Sequence, residues 1–142
     1  MGLGAFSITM TATRLIVDRI VARTGAAAFV RVAAIVGAVA LTGVALAPNA
    51  PTAIIAWGVF GIGLAGCIPQ FFTAAGNVDV DAAGTYVARL AGLGYVGLLA
   101  GPAAIGMLTT WVPLTTAFAV PIVGCVLAGL LAPIALRQKE PA

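Results

Sequence analysis

The chain alternates between long stretches without charged side chains and short charged clusters. No residue between Val32 and Val78, or between Leu90 and Leu136, is charged. A helix that crosses a bilayer needs about 20 consecutive apolar residues. Each uncharged stretch is therefore long enough for two such helices and the turn between them, and the pattern predicts two helical hairpins.

Each uncharged stretch contains a turn signal. In the first stretch, Pro48, Asn49 and Pro51 fall close together, and two prolines with an asparagine are typical of a turn. In the second, Trp111 precedes Pro113, and an indole ring favours the boundary between lipid and water. The predicted helices cover about 30–47, 52–76, 87–109 and 114–136.

The N-terminal segment is apolar as well, but it is short. Residues 1–13 would form a helix of about 20 Å at about 1.5 Å per residue, whereas the hydrocarbon core is about 30 Å thick. The segment has neither a basic N-terminal region nor a small-residue cleavage site, which argues against a secretory signal peptide. We expect an incomplete first helix at about 1–13, as in the tail of a longer protein.

Composition indicates what surrounds these helices. Hydrophobic residues make up 62% of the 142 residues and charged residues 8%, and the mean hydropathy is +1.16. Since about a quarter of the residues of a soluble domain are charged, this chain cannot cover a water-exposed surface. The net charge of +3 comes without the basic patch that nucleic-acid binding requires. The expected fold is all-α: a single membrane domain over 1–142, with five transmembrane helices, the first truncated, in a lipid bilayer.

Charge also predicts the orientation of the helices. Every charged residue falls within 14–31, 79–89 or 137–140, and the two turns carry none. Because lysine and arginine are retained in cytoplasmic loops, the charged helix ends and the C-terminus are expected to face the cytoplasm, in a multi-pass protein of the cell (inner) membrane. The expected cytoplasmic segments are loops at about 14–29 and 77–86 and a tail at 137–142.

The charged cluster near the N-terminus follows a recognisable spacing. After the apolar stretch GAFSITM at 4–10, four charged residues form the pattern R-x-x-x-D-R-x-x-x-R. This arrangement resembles the end of the eighth helix, and the basic–acidic loop after it, in transporters of the major facilitator superfamily. The superfamily usually has glycine four residues before the aspartate, where this chain has arginine. The four residues are Arg14, Asp18, Arg19 and Arg23.

Two further stretches support the resemblance. The sequence GIGLAGCIPQFFTAAGN at 61–77 and the sequence GLGYVGLLAGPAAIG at 92–106 are similar to the tenth and eleventh helices of the branch that contains fucose-permease-like and related sugar or drug carriers. The resemblance covers nearly the whole chain. It implies the last five helices of a twelve-helix bundle, which transports a small-molecule solute by alternating access together with the missing N-terminal helices. The alternative is a non-transporting membrane fragment, or a small bundle that assembles with another membrane protein.

The resemblance assigns the charged cluster to a cytoplasmic gate that tethers neighbouring helices. Arg14 and Asp18 are four residues apart, as are Arg19 and Arg23, so on a helix they would form one ion-pairing face and one basic face. The alternative is a loop that only sets topology. Acidic residues contribute little to orientation, so Asp18 distinguishes the two interpretations.

Small and polar residues form a stripe along the predicted helix 52–76. Their spacings of three and four residues place them on one helical face, which we expect to be turned toward other helices. Pro69 removes a backbone hydrogen bond and is expected to kink the helix. The members of the stripe are Gly63, Gly66, Gln70, Thr73 and Asn77.

Candidate substrate-binding residues lie near this kink. Transporter sites occur near the membrane midplane, at helix breaks, and use few polar groups. Gln70 and Thr73 are therefore candidates, together with Tyr95 in the next glycine-rich segment. For Gln70 the alternative is an interhelical hydrogen bond, worth about 0.6–2 kcal/mol in membranes, and for Tyr95 it is simple packing.

Glycine spacing indicates close helix packing. Gly97 and Gly101 are four residues apart, a spacing that lets helix backbones approach each other. Together with Gly63 and Gly66 they predict tightly packed inner helices. Any polytopic bundle shares this property, so the spacing does not specify a function.

The remaining side chains offer little chemistry. No charged residue lies beyond the first three residues of a predicted span, so the interior of the spans provides neither a proton relay nor a buried ion site. Cys67 and Cys125 stand far apart in apolar segments, and Asp79 and Asp81 are too few to hold a metal ion. Neither a nucleophile–base pair nor a phosphate-binding glycine loop is present. We expect no enzyme activity, no cofactor and no metal.

Overall fold

The computed structural model of the chain describes residues 2–136. These residues form helices and no strands, which confirms the all-α prediction for this range. The predicted cytoplasmic tail at 137–142 lies outside the described residues. The helices are α1 (Gly2–Thr24), α2 (Ala26–Ala45), α3 (Ala50–Leu64), α4 (Cys67–Gly76), α5 (Ala83–Leu108), α6 (Leu114–Ala117) and α7 (Ala119–Ala135).

Four helical segments in residues 2–136 are long and apolar enough to cross a membrane. One of them combines α3 with α4, and another combines α6 with α7. The chain is therefore a multi-pass helical membrane protein. The helix α1 is not among the four segments, so the fifth span remains a prediction. The four segments are Ala26–Ala45, Ala50–Gly76, Ala83–Leu108 and Leu114–Ala135.

The first helix differs from the prediction. It runs without interruption to Thr24, so residues 14–24, which were expected in a loop, are helical. This segment contains no proline or glycine that would stop the helix. The helix ends at Gly25, whose φ of 79° is a conformation that glycine adopts without steric cost. The Gly25 N–H donates to the Val21 carbonyl at 2.8 Å, and α2 begins at the next residue.

The helix α2 is the centre of the bundle. It packs against α3 on one side and α7 on the other, and small side chains allow this close approach. A Cβ atom added to Gly63 of α3 would lie 2.9 Å from the Ala33 carbonyl oxygen, and one added to Gly129 of α7 would lie 3.3 Å from the Ala34 Cβ. The buried residues of α2 are Val30, Ala33, Ala34, Gly37, Ala38, Ala40 and Leu41.

The helices α1 and α3 run side by side in the same direction. The Thr9 hydroxyl lies 2.8 Å from the Gly58 carbonyl oxygen, and five residues later Arg14 reaches the carbonyl of Ala65. Residue numbers therefore increase in the same direction along both helices. This parallel arrangement places the charged half of α1 beside the C-terminal end of α3.

The helix α5 has few neighbours in the described part of the chain. It contacts mainly α4 and, less extensively, α6, and none of its residues is buried. Leu93, Val96 and Leu99 are each more than half exposed. A broad apolar surface of α5 is thus left uncovered by residues 2–136.

Candidate functional site

A break divides the membrane segment that contains the predicted substrate-binding residues. The helix α3 ends at Leu64, Ala65 and Gly66 form a turn, and α4 begins at Cys67. Pro69 has no N–H to donate to the carbonyl of Ala65 four residues earlier, which weakens regular helix at this point. The kink expected beside Gln70 is therefore a true helix break, and it lies one turn earlier.

Neighbouring helices pack closely against the break. A Cβ atom added to Gly66 would lie 2.6 Å from ring atoms of Phe29 on α2 and 2.6 Å from Cγ1 of Val17 on α1. Contacts this close cannot be accommodated without movement of the neighbouring side chains. Glycine at this position thus allows neighbouring helices to pack closely against the turn.

Arg14 supplies the hydrogen bond that Pro69 cannot. Its Nε atom donates to the Ala65 carbonyl oxygen at 3.2 Å, and Ala65 is completely buried. Hydrogen bonds with an ionised donor are roughly twice as strong as neutral ones. Sequence reasoning placed Arg14 in the predicted cytoplasmic gate, on an ion-pairing face with Asp18, and did not identify Ala65. The signal that could have found Ala65 was its position four residues before Pro69.

The structure separates the two halves of the predicted stripe. Gly63, Gly66 and Gln70 are buried, with Gln70 8% exposed, whereas Thr73 and Asn77 are exposed. Gln70 lies on α4 just after the break. The first three members therefore face the bundle, and the last two face outward.

Tyr95 borders an apolar groove between α4 and α5. The groove has a volume of about 490 Å³, within the range of small-molecule pockets, and Tyr95 itself is 67% exposed. Gln70 and Thr73 are not among the groove residues, so the structure does not bring the three predicted substrate-binding residues together in one pocket. The lining residues are Ile68, Phe71, Phe72, Leu90, Ala91, Gly94, Tyr95 and Leu98.

The other predicted residues have simpler surroundings. Asp18, Arg19 and Arg23 are exposed on α1. At Gly97 and Gly101 an added Cβ would meet nothing within 4 Å among the described residues, so their predicted role in packing stays a prediction.

The acidic pair shapes a turn between α4 and α5. The backbone N–H of Asp81 donates to Oδ1 of Asp79 at 3.1 Å, a local bond that is typical of aspartate in turns. In the described part of the chain no group of three or more potential metal ligands is present.

Comparison with known proteins identifies two relatives. The chain is 37% identical over 131 residues to an uncharacterized MFS-type transporter of Yersinia pestis, a match that covers 92% of this chain and 33% of the relative. It is 28% identical over 138 residues to an uncharacterized transporter of Sinorhizobium fredii, covering 97% of this chain and 36% of that protein. No family model and no solved structure matches the chain.

The chain thus spans about a third of the length of these relatives. Both relatives are named as transporters, and the name of the first includes MFS, the abbreviation for major facilitator superfamily. The match extends over nearly the whole chain and agrees with the multi-pass helical architecture. Over nearly its whole length the chain is therefore similar to part of a protein named as an MFS-type transporter.

Proposed function

We propose that the chain is the C-terminal part of a secondary transporter, which moves a small molecule across the membrane by alternating access. The observation that carries this proposal is the 37% identity, over 92% of the chain, to an MFS-type transporter. The four apolar helical segments are consistent with it. Transporters of this kind place their site between two sets of helices, and the relatives are about three times as long as their match with this chain.

The exposed surface of α5 is where the rest of the carrier packs. The length of the relatives supports this partner, since two thirds of the Yersinia pestis protein lies outside the match. Gly97 and Gly101 have open space around them, which would allow another helix to approach closely. The partner is therefore the N-terminal set of helices of the same carrier.

The substrate contacts α4 and α5. The polar side chains assigned to it are Gln70 and Thr73 on α4 and Tyr95 on α5. The charged cluster at 14–23 forms the cytoplasmic gate, and Asp18 is its distinguishing residue.

The charged ends of the helices face the cytoplasm. The test is labelling of single cysteines introduced at Asn49, Trp111 and Lys139 after Cys67 and Cys125 have been replaced by serine. Asn49→Cys and Trp111→Cys should react with an impermeant maleimide in intact cells, and Lys139→Cys only after permeabilisation. Reaction of Lys139→Cys in intact cells would reverse the orientation.

A second candidate is a membrane segment that does not transport and only assembles with another protein. The chain spans about a third of the length of each relative, and the two candidates differ in whether it acts as part of a carrier. In reconstituted vesicles, the chain alone should move no sugar or drug-like solute from a test panel. A chimera in which this chain replaces the matching third of the Yersinia pestis relative should transport the same solutes as that relative. A folded but inactive chimera would favour the second candidate.

A further inference from the structure

At the break between α3 and α4, one carbonyl group lacks the amide hydrogen-bond donor that it would have in a regular helix. In a regular helix the Ala65 carbonyl would accept the N–H of residue 69, but residue 69 is proline. Ala65 is completely buried in the folded chain, so its carbonyl depends on a donor from the protein. A buried carbonyl without a partner is strongly unfavourable in a membrane protein.

The partner comes from a different helix. Arg14, on α1, donates from Nε to this carbonyl at 3.2 Å. About one turn further along α1, Val17 lies against Gly66, the second residue of the break. Two successive turns of α1 therefore contact the two residues of the break, one through a hydrogen bond and one through packing.

The position of α4 depends on this break. The residues after it include Gln70, which is buried, and Ile68, Phe71 and Phe72, which form the α4 wall of the groove beside Tyr95. A change in the angle between α3 and α4 would shift this wall and the Gln70 amide together. Whatever holds the break also sets the geometry of the proposed substrate site.

We propose that Arg14 is a positioning residue. It binds the Ala65 carbonyl that Pro69 leaves without an amide partner, fixes the angle between α3 and α4, and so places the α4 side chains of the substrate site. The proposal rests on the proposed transport function only for the importance of that site. It differs from the cytoplasmic gate suggested by the resemblance, because the partner of Arg14 is a backbone carbonyl in the break.

The test is a double-mutant cycle between residues 14 and 69 in the full 142-residue chain. The variant Pro69→Ala restores an N–H at position 69, which can bond the Ala65 carbonyl and make Arg14 dispensable. In the original background, Arg14→Leu should lower the Tm in detergent, followed by tryptophan fluorescence, by about 4 °C or more. In the Pro69→Ala background the same substitution should lower the Tm by less than half as much.

A second measurement reports on the position of α4. With Cys67 and Cys125 replaced by serine, the maleimide labelling rate of Thr73→Cys should change by at least about twofold on Arg14→Leu. The change should be suppressed when Pro69→Ala is also present. Neither measurement depends on uptake of a solute. The role of Arg14 can therefore be tested even if the chain proves not to belong to a transporter.

Two matched controls separate the contact from simple charge and from proline content. Arg23→Leu removes a positive charge from the same helix, and its effect should be independent of Pro69. Pro102→Ala removes a proline from the continuous helix α5, and the effect of Arg14→Leu should persist beside it. Equal Tm losses on Arg14→Leu with and without Pro69→Ala would overturn the proposal. If Arg14→Leu alone does not fold, a folded Arg14→Leu/Pro69→Ala variant supports the proposal and an unfolded one overturns it.

Discussion

The helices α2 and α5 are both long and apolar enough to cross a membrane, yet their surroundings are opposite. The helix α2 lies between α3 and α7 and has seven buried residues, whereas α5 has none. Both helices are rich in glycine and alanine. Apolar composition is therefore sufficient to place a helix in lipid, but it does not say which of its faces meets another helix.

The glycines make the same contrast at the level of single atoms. A Cβ added to Gly37 of α2 would lie 3.5 Å from Sγ of Cys125, whereas one added to Gly97 or Gly101 of α5 would meet nothing within 4 Å. Small residues of α2 thus lie at contacts with neighbouring helices. Those of α5 remain available for the helices that we propose as the rest of the carrier.

The largest difference between the two helices is expected in cross-linking. In a Cys67→Ser background, Gly37→Cys should form a disulfide with the native Cys125 when a mild oxidant is added, because the two positions are in van der Waals contact. Gly97→Cys should not cross-link to Cys125. The measurement is the gel mobility of the oxidised chain, compared with and without reductant. Cross-linking from both positions would mean that α5 also packs against α7.

A single added methyl group should lower the stability of the chain at the contact between α2 and α3, and should leave it unchanged or raise it in α5. Gly63→Ala places a Cβ 2.9 Å from the Ala33 carbonyl oxygen, and such overpacking costs about 1–3 kcal/mol. Gly97→Ala meets no atom, and it should be neutral or stabilising by up to about 1 kcal/mol, since alanine favours helix over glycine. Thermal unfolding of the chain in detergent measures both effects. Destabilisation of equal size at both positions would contradict the contrast.

The smallest expected difference concerns two threonines. The Thr9 hydroxyl lies 2.8 Å from the Gly58 carbonyl oxygen of α3 and 2.9 Å from the Ala5 carbonyl oxygen of its own helix. Thr9→Val should cost at most about 0.6 kcal/mol, the average for interhelical bonds in membranes. The Thr109 hydroxyl bonds the Gly106 carbonyl of its own helix end at 2.7 Å in an exposed position. Thr109→Val should stay within about 0.5 kcal/mol of the original chain. The free energies of unfolding from detergent titration test this difference.

Local chemistry made several elements predictable. The turn expected from Pro48, Asn49 and Pro51 lies between α2 and α3, where the Asn49 side chain accepts the Thr52 N–H at 3.0 Å and caps α3. Both partners of this bond lie within four residues of each other. A prediction from a short stretch is reliable in such a case because no distant residue takes part.

The candidate site was predicted only in part. Burial of Gln70 follows from helical spacing, and Pro69 indicated the break. The contact between Arg14 and the Ala65 carbonyl joins residues 51 positions apart and has no local signature. The helical conformation of 14–24 was also missed, because the charged cluster was interpreted as a loop from its charge and its resemblance to a superfamily loop, although its residues are compatible with helix.

The sequence by itself determined that the chain is helical, that long segments of it belong in lipid, and where the turns between those segments lie. These properties depend on the transfer of apolar side chains into the bilayer and on the backbone limits of proline and asparagine. Only the tertiary structure decided that α1 runs parallel to α3, that α2 packs against both α3 and α7, and that the described part of the chain leaves α5 open. Lipid is as apolar as the surface of a helix, so hydropathy cannot select a partner. The selection depends on the shapes of the helices that meet.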